Sequence, residues 1–297
     1  MIKDIISSYI ICAKSRPIPL FAFTWPAFMC LMIASGGIPP LLESLKLVLA
    51  MTFVGYSVYF YNDIKDFEDD LRSKELGNPI PANRPLGRGI VSMSRMWKFT
   101  LFSAITGLVI ASTINISVFL LQTAFLVLGI LYSSEPLRLK KRYLGKSSTI
   151  VVGNVLATTS GGLTLGVINP QVLYTILLNA SLAGLLSPIW DIRDLQGDKV
   201  SEVKTIPVLW GPEMTIRLAL GVLVASEVAT LIGYSRLGFS IAMPILFTII
   251  IVTMMYVISP LLKGWINPVE LNTILFKRVF PLYIILQIPI YIGVLNL

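Results

Sequence analysis

Apolar and polar positions alternate along this chain in long blocks. Runs of about twenty residues with almost no charge recur from end to end, each long enough at 1.5 Å per residue to cross roughly 30 Å of hydrocarbon. The pattern predicts nine helical spans, near 17–36, 41–61, 97–114, 116–133, 148–168, 171–190, 214–234, 240–259 and 279–297. It therefore predicts an all-α integral membrane protein, one domain over 1–297, with no soluble domain and no long linker.

Composition strengthens this reading. Of 297 residues, 55% are hydrophobic and only 13% charged, which excludes an ordinary soluble globular domain. The N-terminal run "MIKDIISSYIICAK" is too polar for a secretory signal.

The net charge of +8 suggests a nucleic-acid partner until the basic residues are placed. Three precede the first span, seven lie in 65–98, five in 138–146, four in 193–217, and three are Lys263, Lys277 and Arg278. Only Lys46 and Arg236 of the 24 fall elsewhere. Basic clusters on alternate loops are a topology signal, putting the N-terminus and these loops in the cytoplasm and the C-terminus outside, so no nucleic-acid partner is expected. Oligomeric state is not readable from this pattern.

Histidine is absent, which removes imidazole as a base or a zinc or haem ligand and leaves a hard cation held by oxygen as the metal to expect. Cys12 and Cys30 read as small apolar fillers.

The polar blocks carry the chemistry. "YNDIKDFEDD", at 61–70, follows an apolar span directly and holds five of the sixteen acidic side chains. A second cluster, "WDIRDLQGD" at 190–198, repeats it: Asp63, Asp66 and Asp70 parallel Asp191, Asp194 and Asp198, with Ile and a cation between the first two each time. The chain thus reads as two pseudo-repeated halves. On a helix, positions i, i+3 and i+7 share one face, and Asn62 joins its edge. Three aligned carboxylates repel unless a cation sits among them. One such cluster is explained by a solvated helix end, but two of identical spacing on one side of the membrane suit two or more Mg²⁺ ions with positions open to phosphate oxygens.

Basic partners lie on the same side. Arg84 and Arg88 sit in "LRSKELGNPIPANRPLGRG", where Pro and Gly forbid a long helix but allow a short ordered loop. "YSSEPLRLKKRYLGK" packs Arg138, Lys140, Lys141, Arg142 and Lys146 into nine residues, and Lys199 and Lys204 follow the second cluster. Guanidinium suits bidentate phosphate contact, though topology alone explains any single Arg. Carboxylates and cations above an apolar bundle describe a site for a polyanionic head on a greasy tail, such as a prenyl diphosphate.

In these motifs the chain resembles the UbiA superfamily of intramembrane prenyltransferases. "NDIKDFEDD" is similar to its first Asp-rich motif and "DIRDLQGD" to its second, while "NRPLGRG", "YSSEPLRLKKR" and "KTIPVLWG" resemble family segments in matching order. The resemblance covers almost the whole chain and implies nine transmembrane helices around a central cavity. It also implies Mg²⁺-dependent ionisation of a prenyl diphosphate to an allylic cation, attacked by a lipophilic acceptor within the membrane lipid. By matching motif, Asn62, Asp63, Asp66 and Asp70 hold one Mg²⁺, and Asp191, Asp194 and Asp198 the other. Asp66, Asp194 and Tyr132 are the catalytic candidates, and Arg84, Arg138, Lys140 and Lys146 grip the diphosphate. Lys65 and Arg193 point away from the motif carboxylates and read as surface charge; Glu68 and Asp69 exceed the motif and read as solvent-facing.

Two features stay outside the motifs. Glu227 is a carboxylate deep inside a span, and Asn154, Thr158, Thr159 and Ser160 form a polar strip open to either an acceptor or a neighbouring helix. The small residues "SGG" at 160–162 read as close packing or a flexible break. A cation transporter or channel is the competing class; it explains the carboxylates but neither the five cations of 138–146 nor the placement at one face. Among acceptors, an aromatic acid, quinone precursor, tetrapyrrole, polyene or prenylated glycerol phosphate all remain open.

Overall fold

The computed structural model describes residues 2–75, 84–200, 202–264 and 267–295. These are helical, with no strand among the described residues. In order they form α1 (Ile2–Ser15), α2 (Trp25–Ser35), α3 (Leu41–Glu75), α4 (Met93–Ser112), α5 (Ile116–Ser133), α6 (Gly145–Thr164), α7 (Pro170–Ser181), α8 (Leu195–Val200), α9 (Ile206–Gly233), α10 (Ala242–Ile258), α11 (Pro268–Ile274), α12 (Phe280–Ile285) and α13 (Gln287–Val294). π-helical turns at Leu20–Thr24, Leu182–Leu186 and Leu275–Val279 extend α2, α7 and α12.

At one end of the bundle the connections are tight and locally encoded. Asn115 and Asn169 cap α5 and α6's successor α7, accepting from the amides of Val118 and Val172, and Pro170 occupies the first turn, where its missing donor costs nothing. Gly36 closes α2 with φ 61°, a conformation that Cβ-bearing residues avoid. The other end carries the longer loops and most of the charge.

Among the described residues, six helical stretches are long and apolar enough to cross a membrane: Leu41–Leu71, Ile116–Ser133, Pro170–Ile192, Ile206–Gly233, Ala242–Lys263 and Val269–Val294. A seventh counts if Lys3–Ser15 and Leu20–Ser35, bent by 64°, act as one span. The expectation of nine spans is thus met only in part. α4 and α6 are each 20 residues long but mixed in character. In α6, Asn154, Thr158, Ser160 and Thr164 are buried, and hydroxyls satisfy themselves within the helix: Ser160 donates to Leu156 O at 2.9 Å and Thr164 to Ser160 O at 2.8 Å. α4 turns Leu101, Phe102, Ile105 and Val109 outward and Thr100, Ser103, Gly107 and Ala111 inward. Apolar residues outside and small or polar ones inside is the arrangement lipid demands.

The "SGG" step is close packing. α6 continues through it, and a Cβ on Gly161 would collide with the Ala27 carbonyl oxygen of α2. The first and last parts of the chain meet: Trp25 Nε1 donates to Ile284 O at 2.9 Å and Tyr291 Oη to Gly37 O at 3.0 Å. Cys12 and Cys30 are buried free thiols.

One expectation about the motif segments needs correction. The second Asp triad is not on one α-helix: a 3₁₀ helix, Ser187–Ile192, with Pro188 in its first turn, carries Asp191, and a turn separates it from α8, which carries Asp198. Three residues per turn rotates the stripe away from the i, i+3, i+7 alignment of an α-helix. The span expected at 214–234 lies within α9, whose helix begins at Ile206 and breaks at Gly211 (φ 85°, ψ 161°) before Pro212.

Candidate active site

α3 runs unbroken from the bundle interior to Glu75, so Asp63, Asp66 and Asp70 share one face, as the spacing demands. Asp63 and Asp66 are only 2% and 7% exposed. Ionised carboxylates tolerate such burial when paired and hydrogen-bonded. One guanidinium meets all three: Arg84 Nη1 lies 2.6 Å from Asp63 Oδ1, Nη2 3.2 Å from Asp66 Oδ2 and Nε 3.5 Å from Asp70 Oδ2. Arg16, at the elbow between α1 and α2, pairs with Asp63 through Nη2, and its Nε donates at 3.1 Å. Lys140 pairs with Asp66. Arg138 pairs with Asp69 and approaches Asp66 to 3.9 Å, so Asp69 is an ion-pair partner and not solely a solvent-facing charge. Burial pulls the Arg84 guanidinium down, but Asp63, Asp66 and Asp70 outweigh it and hold it above its ordinary value. Burial wins at Lys140, whose ammonium sits below its usual range despite Asp66. Residues 76–83 of the Pro/Gly-rich loop, with Asn83 of "NRPLGRG", lie outside the described residues.

The second set is built the same way with fewer members. Lys146 Nζ, at the start of α6, lies 2.8 Å from Asp191 Oδ1 and 3.7 Å from Asp198 Oδ2. Asp194 does not join them: it is half-exposed and paired with Arg193 at 2.6 Å, which also donates to Asn272 Oδ1 at 2.9 Å. Arg193 is therefore a tether between α11 and the motif, not a loose surface charge. Asp198 Oδ2 is buried without a hydrogen bond, and burial pushes its carboxyl up to about 6 against the opposing charge of Lys146.

Two tyrosines join the sets. Tyr132, near the end of α5, lies within electrostatic range of Asp66 on one side and of Lys146, Asp191 and Asp198 on the other. Tyr59, one turn before Asp63 on α3, is similarly placed between Arg16, Asp63 and Lys146. Asn62 Nδ2 donates to Ser133 Oγ at 3.1 Å, and the Tyr61 and Ser134 hydroxyls meet at 2.6 Å, which fixes α3 against α5 at the mouth. The sequence reading missed Arg16 and Tyr59. Arg16 looked like a topology charge, its one signal being its place between an amphipathic helix and Pro17; Tyr59 stands four residues before Asp63.

Among the described residues no three carboxylates already form a metal cage. The residues nonetheless fit Mg²⁺: the donors are hard oxygens, the first triad converges on a single cation position now held by Arg84, and the second leaves a buried carboxylate oxygen of Asp198 without a hydrogen bond. Away from the mouth, Glu227 Oε1 accepts from Thr248 Oγ1 at 2.5 Å while Oε2 is buried without a partner. In the polar strip, Asn154 Nδ2 donates to Ile150 O at 3.1 Å, and Asn154 Oδ1 and Thr158 Oγ1 are buried without partners.

The chain is similar to known proteins. The chain is 28% identical over 188 residues to 2-acyl-4-prenylphloroglucinol 6-prenyltransferase of Humulus lupulus, a match covering 59% of this chain but only 44% of that protein. It is 27% identical over 206 residues to digeranylgeranylglyceryl phosphate synthase of Thermococcus sibiricus, covering 67% of this chain and 68% of that one. A UbiA homolog from Archaeoglobus fulgidus, solved bound to GPP and Mg²⁺, has the same fold with a TM-score of 0.73 at 20% identity, covering 98% of this chain and 100% of that one. Nothing among these matches supports a transporter or channel. Residues 23–265 match the model of the UbiA prenyltransferase family, and the chain belongs to that family.

Proposed function

We propose that this protein transfers a prenyl group from a prenyl diphosphate to a lipophilic acceptor within the membrane, with Mg²⁺ as cofactor, at a mouth that faces the cytoplasm. The observation that supports it most is the pair of carboxylate sets, Asp63, Asp66 and Asp70 round Arg84 and Asp191 and Asp198 round Lys146, with Tyr132 within electrostatic range of both. Mg²⁺ bound at Asn62, Asp63, Asp66 and Asp70, and at Asp191, Asp194 and Asp198, would neutralise charge on the departing diphosphate.

The chain's own cations do the rest of that work. Arg84, Arg138, Lys140 and Lys146 are half-buried or buried beside the carboxylates, where a charge interaction is stronger than in water. The allylic C–O bond breaks and its electron pair leaves with the diphosphate; a bond forms between the allylic carbon and the acceptor, which gives up a proton. Tyr132 and the apolar bundle below shield the cationic carbon from water. Family relatives act on several acceptors, and the two pseudo-repeated halves each supply one carboxylate set. Purified protein in detergent, incubated with labelled geranylgeranyl diphosphate and a panel of acceptors, should release diphosphate and label an acceptor only with Mg²⁺. Ion flux in liposomes without diphosphate release would refute the reading.

A further inference from the structure

Outside the buried carboxylates lies a cleft of about 720 Å³, formed between the 135–142 loop and the 198–209 segment. Its cationic lining is Arg138, Lys141, Arg142, Lys199 and Lys204. Much of the acidic charge there is already engaged: Glu135 lies 3.4 Å from Arg138, and Asp198 lies 3.7 Å from Lys146. Arg142 donates to the carbonyls of Leu137 at 3.0 Å and Pro136 at 2.9 Å, which fixes the guanidinium without neutralising it. Lys141, Lys199 and Lys204 make no ion pair among the described residues, so Glu202 alone faces four uncompensated cations. Leu137, Val208 and Leu209 supply an apolar side.

The cleft adjoins the carboxylates without duplicating the diphosphate grip. Arg138 and Asp198 belong to both, whereas Lys140 turns inward to Asp66 and its neighbour Lys141 lines the cleft. Arg138 (φ 35°) and Glu202 (φ 58°), one on each lining segment, adopt left-handed backbone, which side chains of this type rarely do and which marks shape held by its surroundings.

Resting on the prenyl-transfer reading, we infer that this cleft seats the headgroup of the acceptor, and that the headgroup is a dianionic phosphomonoester on an apolar tail. Several convergent ammonium groups suit a compact dianion, and the adjoining apolar side suits the start of a tail. Bound there, the acceptor lies beside the diphosphate, within reach of the allylic carbon.

Isothermal titration of the full-length protein in neutral detergent tests this, using a monoalkylglycerol phosphate and the monoalkylglycerol of equal chain length. Wild type should bind the phosphate lipid at least about tenfold tighter, a difference of about 1.4 kcal/mol. A K141Q/K199Q/K204Q variant should lose that preference, and the matching Lys→Arg variant should keep it. Equal binding of the two lipids, or a preference that survives the Gln variant, overturns the inference. Inorganic phosphate binding as tightly as the lipid would assign the cleft to a free anion, and phosphatidylglycerol competing equally would assign it to bulk anionic lipid; either also overturns it. Titration of geranylgeranyl diphosphate with Mg²⁺ in the same preparation separates the two readings: if it binds while the headgroup preference is absent, only this inference fails, and if it does not, prenyl transfer itself is refuted.

Discussion

The guanidinium of Arg84 lies 2.6 Å from Asp63 and reaches Asp66 and Asp70 as well, so one basic side chain occupies the point on which the first motif converges. The carboxylates that a divalent cation would need are thus held together by a cation from the protein itself. On the proposed reading, a metal binding at this point would displace Arg84 and leave it to meet the diphosphate.

Arg84→Ala should therefore destabilise the metal-free protein, by less than the roughly 3–5 kcal/mol of breaking a buried pair outright, because Arg16 still pairs with Asp63 and Lys140 with Asp66 while Asp70 loses its partner. Mg²⁺ should restore part of that loss. Thermal unfolding in detergent with and without Mg²⁺ measures this, with a larger Mg²⁺-dependent rise in Tm for the variant than for wild type.

Asp66→Ala and Asp194→Ala should each abolish turnover, by about 10²-fold or more, while the protein still folds. Asp194 is half-exposed and its loss opens no cavity, whereas Asp66 is buried beside Lys140, so that variant should fold with a lowered Tm. Diphosphate release assays combined with size-exclusion profiles check both halves of the statement, and near-normal rates in either variant would remove that residue from the metal set.

Asp198 gives a pH signature. Burial holds its carboxyl at about 6, above the ordinary value of 3.8, so the folded protein keeps a proton there that the unfolded chain releases. Its ionisation costs stability as pH rises from about 4 to 6, and that penalty persists at neutral pH. A divalent cation needs the ionised form, so Mg²⁺ affinity should fall as pH drops through 6, with a proton released on binding. Titrations in buffers of different ionisation enthalpy read that proton directly. A proton count of zero at pH 6 would exclude Asp198 as a ligand.

Gly161→Ala should lower Tm through overpacking, at a cost of about 1–3 kcal/mol, because the added methyl meets the Ala27 carbonyl of α2. Gly166→Ala is the useful contrast: it has open space but φ 71°, so its penalty comes from backbone strain alone and should be smaller.

Much of this was legible in the residues. Apart from the short polar α8, the helices from α3 to α10 fall close to apolar blocks, because exclusion of charge over twenty residues is a strong signal. The paired Asp motifs marked the mouth, and Arg84, Lys140 and Lys146 are found beside them. What was hidden depends on contacts between distant segments. Arg16 meets Asp63 only because the chain bends after Ser15, and Arg193 reaches Asn272 across 79 residues. α4 and α6 are expected spans that fall outside the six, because polar side chains there bond to their own helix or face a neighbour. The second triad was misread as a helix stripe because the spacing i, i+3, i+7 carries no information about 3₁₀ winding.

The tight turn at Leu139–Lys141 fixes which of two adjacent lysines goes where: Lys140 inward to Asp66, Lys141 toward the outer cleft. Deleting a single residue upstream in that loop would bring Lys141 to the inward place, and inserting one would bring Leu139 there and take the cation away from Asp66. The loop's length is thus as much a determinant of chemistry as its charges, and length changes there should be tolerated far less than substitutions.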